Sequence, residues 1–196
     1  MELNGVRKLK LQVQMTVDGY VGGPNGEMDW MTFDWDEKGI TYVNELTDSV
    51  NTILMGRKMT EGFISYWTDI VVNKKDDPQY PFARKMVDKP KIVFSKTLDK
   101  SEWDNTKIAK GDLIEEITKL KKASSGGKGK DIIVYGGASF VSSLIKNNLI
   151  DEYHLFINPV AIGKGISIFT NKLNLKLLKS IPFNNGEVLN YYEPIK

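Results

Sequence analysis

The stretch Asp131–Phe140, "DIIVYGGASF", decides how this chain is read. A run of apolar β-formers stops at Gly136 and Gly137 and passes into small, helix-compatible residues, the outline of a strand turning tightly into a helix. Two glycines at such a place serve either as plain turn chemistry or as a seat where a phosphate approaches backbone N–H groups unobstructed by a Cβ. Neither a full GxGxxG nor a Walker A lysine motif accompanies them.

Working outward, the strand-to-helix alternation recurs. From Lys8 to Val17 the odd positions are apolar and the even ones polar up to Thr16, the period of a strand with one buried face, whose polar face is expected to meet water or a ligand. Beyond the turn-rich "GGPNGEMD" (22–29), Ile40, Val43, Leu46 and Val50 recur at helical spacing. "NTILMG" (51–56) reads as a buried strand, with a helix opening at Arg57 or Lys58. "DIVVNKKDDPQYPFARKMVDKP" (69–90), with its three prolines, reads as a loop holding one helical turn, and "KIVFS" as a strand. Asp112 is placed to open a helix bearing Leu113, Ile114, Ile117 and Leu120, ended by the surface loop "SSGGKGK" (124–130). Ala138, Val141, Leu144, Ile145 and Leu149 form another helical stripe, "EYHLFINPV" (152–160) a strand, and 175–195 two arms around Asn184-Asn185-Gly186, an antiparallel hairpin. The expected fold is α/β, a mainly parallel sheet ending in an antiparallel hairpin, in one domain over 1–196.

Composition narrows function. The 27 basic and 25 acidic residues nearly cancel to +2 and are intermixed, which argues against nucleic acid or an anionic membrane as partner. The absence of cysteine removes disulfides, thiolate metal sites and cysteine nucleophiles, and fits a reducing compartment. No long apolar segment indicates a signal peptide or membrane span, so a cytoplasmic protein is expected. His154 is the single histidine and sits inside a strand pattern, so no metal is expected.

In an open α/β sheet, ligands gather at the carboxyl ends of the strands, where helix starts have N–H groups to spare. Three turns qualify: "MGRKMT" (55–60), "FSKT" (94–97) and "YGGASF" (135–140). Together with "TVDGYVGG" (16–23) and "LIDEYHLFINPVAIGKGISIF" (149–169), they occur in the order of the dihydrofolate-reductase-like superfamily. Specifically, the chain resembles the reductase domain at the C-terminus of the bifunctional riboflavin-biosynthesis deaminase/reductase. The segment with Asp151, Glu152, Pro159, Gly163 and Gly165 favours that branch over folate reductase itself.

The resemblance implies a three-layer α/β/α fold around a mixed sheet and an NADPH-dependent reductase of a small-molecule substrate, with related domains pairing as homodimers. Carried onto this chain, it puts Gly56, Arg57 and Lys58 at the cofactor phosphates, with Arg57 reaching the 2′-phosphate. Ser95, Lys96 and Thr97 match the turn that also holds the 2′-phosphate, and Gly136, Gly137, Ala138, Ser139 and Phe140 would wrap the pyrophosphate. One departure is Met59, where family members usually carry threonine; here threonine follows only at position 60. A zinc deaminase domain would require cysteine ligands that this chain lacks, leaving reduction alone.

On the substrate side, hydride transfer to an imine needs a proton source. Asp18 faces the expected cleft, with turn formation as its other reading. Asp34 and Asp36 follow Trp30 in "WMTFDWDEKG", with favourable helix N-terminal charge as theirs. Trp30 and Trp67 are candidate cleft walls or core residues. Three functions remain open: a riboflavin-type reductase acting on a pyrimidine- or pteridine-like substrate, a dihydrofolate reductase, and a non-catalytic NADP-binding protein.

Overall fold

The computed structural model describes residues 6–32, 34–123 and 130–195. Most of the loop expected at 124–130 lies outside them. The chain runs β1 (Leu9–Thr16), α1 (Glu37–Asp48), β2 (Val50–Gly56), α2 (Arg57–Asn73), α3 (Tyr80–Asp88), β3 (Lys91–Phe94), β4 (Thr106–Ala109), α4 (Leu113–Lys122), β5 (Asp131–Val134), α5 (Ala138–Lys146), β6 (Glu152–Asn158), β7 (Leu175–Pro182) and β8 (Val188–Pro194). The eight strands order as β4-β3-β2-β5-β1-β6-β8-β7. All neighbours are parallel from β4 to β6, and β8 and β7 join antiparallel. This is the three-layer α/β/α arrangement.

The alternation of β1 assigns its two faces. Leu9, Leu11, Val13 and Met15 pack with Ile117 of α4 and with Val141, Leu144 and Ile145 of α5. The opposite face lies under α1, α2 and α3, whose Val43, Leu46 and Met86 meet Val50, Ile53, Met55, Phe156 and Leu189 of the sheet. The even-numbered polar row was expected to meet water or a ligand. The structure shields it from water: Lys10, Gln12, Gln14 and Thr16 are at most 9% exposed.

Burial is tolerable because several of these groups find partners. Lys10 Nζ lies 3.0 Å from Asp131, 3.6 Å from Glu152 and 3.0 Å from Ser49 Oγ. Burial opposes the charge on Glu152, but His154, Lys8 and Lys10 more than offset it and hold its carboxyl at about 2. His154, in its strand as expected, hydrogen-bonds Tyr42 at 2.6 Å and stacks on Tyr191 with centroids 4.6 Å apart. Burial lowers its pKa and favours the neutral ring.

The region 69–90 needs the largest correction. It is not a loop with one turn: α2 runs on to Asn73, and α3 fills Tyr80–Asp88. Pro81 stands at the start of α3, where proline's missing N–H has no helical partner to lose. Two stripes were also drawn too long, since Val50 opens β2 and Leu149 lies beyond α5. Ile40 and Ile114, assigned to buried faces, are 51% and 48% exposed. The short strand β4, on the sheet edge, had no clear signal in its sequence "TKIA".

Candidate functional site

Two kinds of helix start meet the carboxyl edge of the sheet. α1 and α4 begin on aspartates: Asp36 accepts from Gly39 N at 3.0 Å, and Asp112 from Ile114 N and Glu115 N at 2.9 and 3.1 Å. α2 and α5 begin on Gly56 and Gly137, with no side chain capping the leading N–H groups of either and no acidic residue in either first turn. Their leading N–H groups and positive dipole ends are therefore left for an anion.

These two starts are adjacent because β2 and β5 are. Gly137 has φ +87°, and a Cβ there would lie 3.1 Å from Gly56 Cα. Phe140 stacks on Phe94 with centroids 4.9 Å apart, bringing in the turn after β3. The structure thus joins the turns carrying Gly56, Arg57 and Lys58, Ser95 to Thr97, and Gly136 to Phe140. Arg57, Lys58, Lys96, Thr97 and Ser139 are exposed on this rim, and Ala138 is half-buried. Ser95 is buried, and its Oγ accepts from Thr97 N and Leu98 N, shaping its own turn. Thr60 is also buried and donates to the Gly56 carbonyl at 3.2 Å, so its hydroxyl serves the helix rather than the rim. Met59 reaches over Gly136, where a Cβ would meet its sulfur at 2.7 Å.

The expected carboxylates are placed differently from one another. Asp18 is exposed; the Thr16 hydroxyl and the N–H groups of Gly163 (2.7 Å) and Ile162 (3.1 Å) hold its carboxyl below the usual range. It belongs to a zipper in which Val17 N donates to Val160 O, Val21 N to Ile166 O and Ile166 N to Gly22 O. A Cβ at Gly165 would lie 2.3 Å from the Gly22 carbonyl, so glycine permits this closure. Asp36 caps α1 and also accepts from Asn184 N at 3.0 Å; the Gly39 N–H, then that of Asn184, keeps it low. Asp34 is exposed.

Trp30 is half-buried, with an indole N–H that finds no partner. Trp67 packs among Phe63, Tyr66 and Phe82 and lines a cleft of about 230 Å³ with Met86, Lys91 and Trp103. It stands ten residues along α2 from Arg57, or ~15 Å at 1.5 Å per residue, so the structure does not bring it to the glycine turns.

Sequence reasoning passed over a buried carboxyl at the same edge. Glu187, fully buried just before β8, accepts from Trp35 Nε1 at 2.5 Å and from Asn185 Nδ2 at 2.9 Å, both on Oε2. Burial pushes its pKa up, against the opposing influence of Asn185, Trp35, Gln14 and Asn158. Among the described residues, no group of three or more histidine, aspartate or glutamate side chains is placed to hold a metal. No described helix is long and apolar enough to cross a membrane.

The family model for the RibD C-terminal domain matches residues 7–189. The chain belongs to that family. The chain is 36% identical over 186 residues to YyaP, an uncharacterized protein of Bacillus subtilis (strain 168), covering 93% of this chain and 92% of YyaP. It is 23% identical to the riboflavin biosynthesis protein RibD of Buchnera aphidicola, covering 91% of this chain but 56% of that one. Solved RibD structures share the fold. The diaminohydroxyphosphoribosylaminopyrimidine deaminase/5-amino-6-(5-phosphoribosylamino)uracil reductase of Thermotoga maritima superposes with a TM-score of 0.65 at 17% identity, covering 97% of this chain and 57% of that one. RibD of Acinetobacter baumannii gives 0.67 at 16% identity, covering 98% and 59%. Membership in the RibD reductase-type family makes an oxidoreductase the expected class.

Proposed function

We propose that this chain is an NADPH-dependent reductase of the riboflavin-biosynthesis type that transfers a hydride to a pyrimidine- or pteridine-like substrate, as a 5-amino-6-(5-phosphoribosylamino)uracil reductase does. The observation that carries the reading is the pair of uncapped helix starts at Gly56 and Gly137, side by side beneath exposed cations. Gly136, Gly137 and the first residues of α5 would hold the pyrophosphate on backbone N–H groups. Arg57, Lys58 and Lys96 would take the remaining phosphates, with Thr97 and Ser139 as exposed hydroxyls beside them. The bound cofactor supplies the hydride; the chain orients it, keeps water from the reacting carbon and provides a proton. The same reading takes 1–196 as one reductase domain, working in the cytoplasm as a homodimer.

One observation favours a second reading, a non-catalytic NADP-binding protein: Met59, at the position where the family resemblance puts a threonine, covers Gly136. Loss of NADPH absorbance with the riboflavin-pathway pyrimidine phosphate, with dihydrofolate and with no substrate separates the readings. Turnover only with the pyrimidine phosphate supports the first; tight NADPH binding with no oxidation by any of them supports the second. Light scattering checks the dimer.

A further inference from the structure

Beside the glycine turns, the carboxyl edge holds three buried polar side chains that do not satisfy one another. Asn158 Nδ2 donates to Gln14 Oε1 at 2.6 Å, which leaves Gln14 Nε2 and Asn158 Oδ1 without a partner. Exchanging O and N in both amides still leaves one free donor and one free acceptor. Glu187 spends Oε2 on Trp35 and Asn185, while its Oε1 has no partner. The two amides are near enough to lower its pKa, yet none of the three free atoms reaches another at hydrogen-bond length. Gln14, Asn158 and Glu187 are 8%, 1% and 0% exposed, so each unmade bond leaves a desolvated polar atom uncompensated.

Their placement is not accidental to the edge. Gln14 and Asn158 share one sheet face, since Gln14 pairs with Phe156 and Thr16 with Asn158. Glu187 directly precedes β8, whose Val188 pairs with Ile157. One donor and two acceptors thus converge from β1, β6 and the start of β8. In strand order these follow β5, the strand that leads into the Gly136-Gly137 turn, so the cluster lies about two strand spacings, ~10 Å, from that turn. Trp35 and Phe156, with ring centroids 5.5 Å apart, supply an aromatic wall. Amide and carboxyl side chains in such a mix match a flat ring that presents amino N–H and ring C=O groups together.

We propose that Glu187, with Gln14 and Asn158, is the specificity-determining floor of the substrate site and reads the amino-and-oxo edge of a planar nitrogen heterocycle. The proposal rests on the reductase reading above and adds to it the residues that choose the substrate. Amino groups of the ring donate to Glu187 Oε1 and Asn158 Oδ1, and Gln14 Nε2 donates to a ring carbonyl. Trp35 hydrogen-bonds Glu187, so the segment between β1 and α1 that carries it must shift for a ring to enter.

Calorimetric titration of the full chain with 5,6-diaminouracil and with uracil tests this, with NADPH titrated separately. In Glu187→Gln the 5,6-diaminouracil affinity should fall about tenfold or more, uracil affinity should hold within about twofold, and NADPH affinity should be unchanged. A merely structural role would move both pyrimidines together, and equal losses or no loss would overturn the proposal. Asn158→Leu, which keeps the volume but removes the Oδ1 acceptor, should weaken 5,6-diaminouracil about fivefold and uracil by less than about twofold. It decides the matter alone if Glu187→Gln melts below the assay temperature, and equal losses or unchanged affinities would overturn the floor. If wild type binds NADPH but neither pyrimidine, the floor is wrong and the cofactor site stands. If wild type binds no NADPH, it is the reductase reading that fails.

Discussion

The two halves of the carboxyl edge are built from opposite materials. At the ends of β2 and β5 the structure offers backbone: two helix starts left bare, two glycines pressed together, and cations held out in solvent. At the ends of β1 and β6 and the start of β8 it offers side chains, buried, with hydrogen-bonding capacity unspent. The first suits a ligand part that is the same in every reaction, because N–H groups and a dipole read charge and little else. The second suits the part that differs, because an amide or carboxyl reads where donors and acceptors lie.

The sharpest break of that contrast is Gly137→Val. The added Cβ would stand 3.1 Å from Gly56 Cα on a backbone with φ +87°, so both turns must move. NADPH binding should become undetectable, and stability should fall by about 2 kcal/mol or more, read by calorimetry and urea titration. Survival of NADPH affinity would place the phosphate seat elsewhere.

Lys96→Glu probes charge without disturbing packing, since Lys96 is exposed. NADPH should weaken by about tenfold or more and NADH by much less, because only the 2′-phosphate meets the new carboxylate. Equal losses would remove Lys96 from that role.

The buried half should announce itself in pH. The carboxyl of Glu187 is raised, so the folded chain keeps a proton that the unfolded chain releases near 4.5. Its contribution to stability is present below that pH and lost as pH rises through the raised value. The Tm of wild type minus that of Glu187→Gln should therefore decline as pH rises over that interval, the difference cancelling the opposite trend from His154, whose lowered pKa adds stability as pH rises. Glu152 behaves oppositely: held at about 2, it contributes above pH 4.5 and its contribution is lost as pH falls toward 2. The smallest effect is expected for Asp36→Ala, which removes a cap and a tie to the hairpin for about 1 kcal/mol in urea titration.

The halves also differ in how far the sequence disclosed them. Gly56 and Gly136-Gly137 stood at strand-to-helix changes of period, a position with few meanings, and the order of the surrounding motifs brought the family into view. Gln14 was visible only as one polar residue in an alternating strand, and alternation does not say whether a helix will cover the polar face. Glu187 follows Asn-Asn-Gly with no pattern to mark it; only the folded hairpin shows it turned inward against Trp35. Prolines hid α3, because proline marks both a loop and the first turn of a helix. Asp36 was noticed for its charge, yet its second partner, Asn184, lies 148 residues away and could be known only from the fold.

The central position of β1 sets a problem of timing. Its two neighbours are residues 131–134 and 152–158, so on the ribosome it emerges more than a hundred residues before either can pair with it. Throughout that wait Leu9, Leu11, Val13 and Met15 form an unpaired apolar strand, the kind of segment that associates with other chains. The interleaved Lys8, Lys10, Gln12 and Gln14 interrupt it at every second position. Polar side chains that the finished fold largely buries thus break up the apolar run for as long as the strand has no partner.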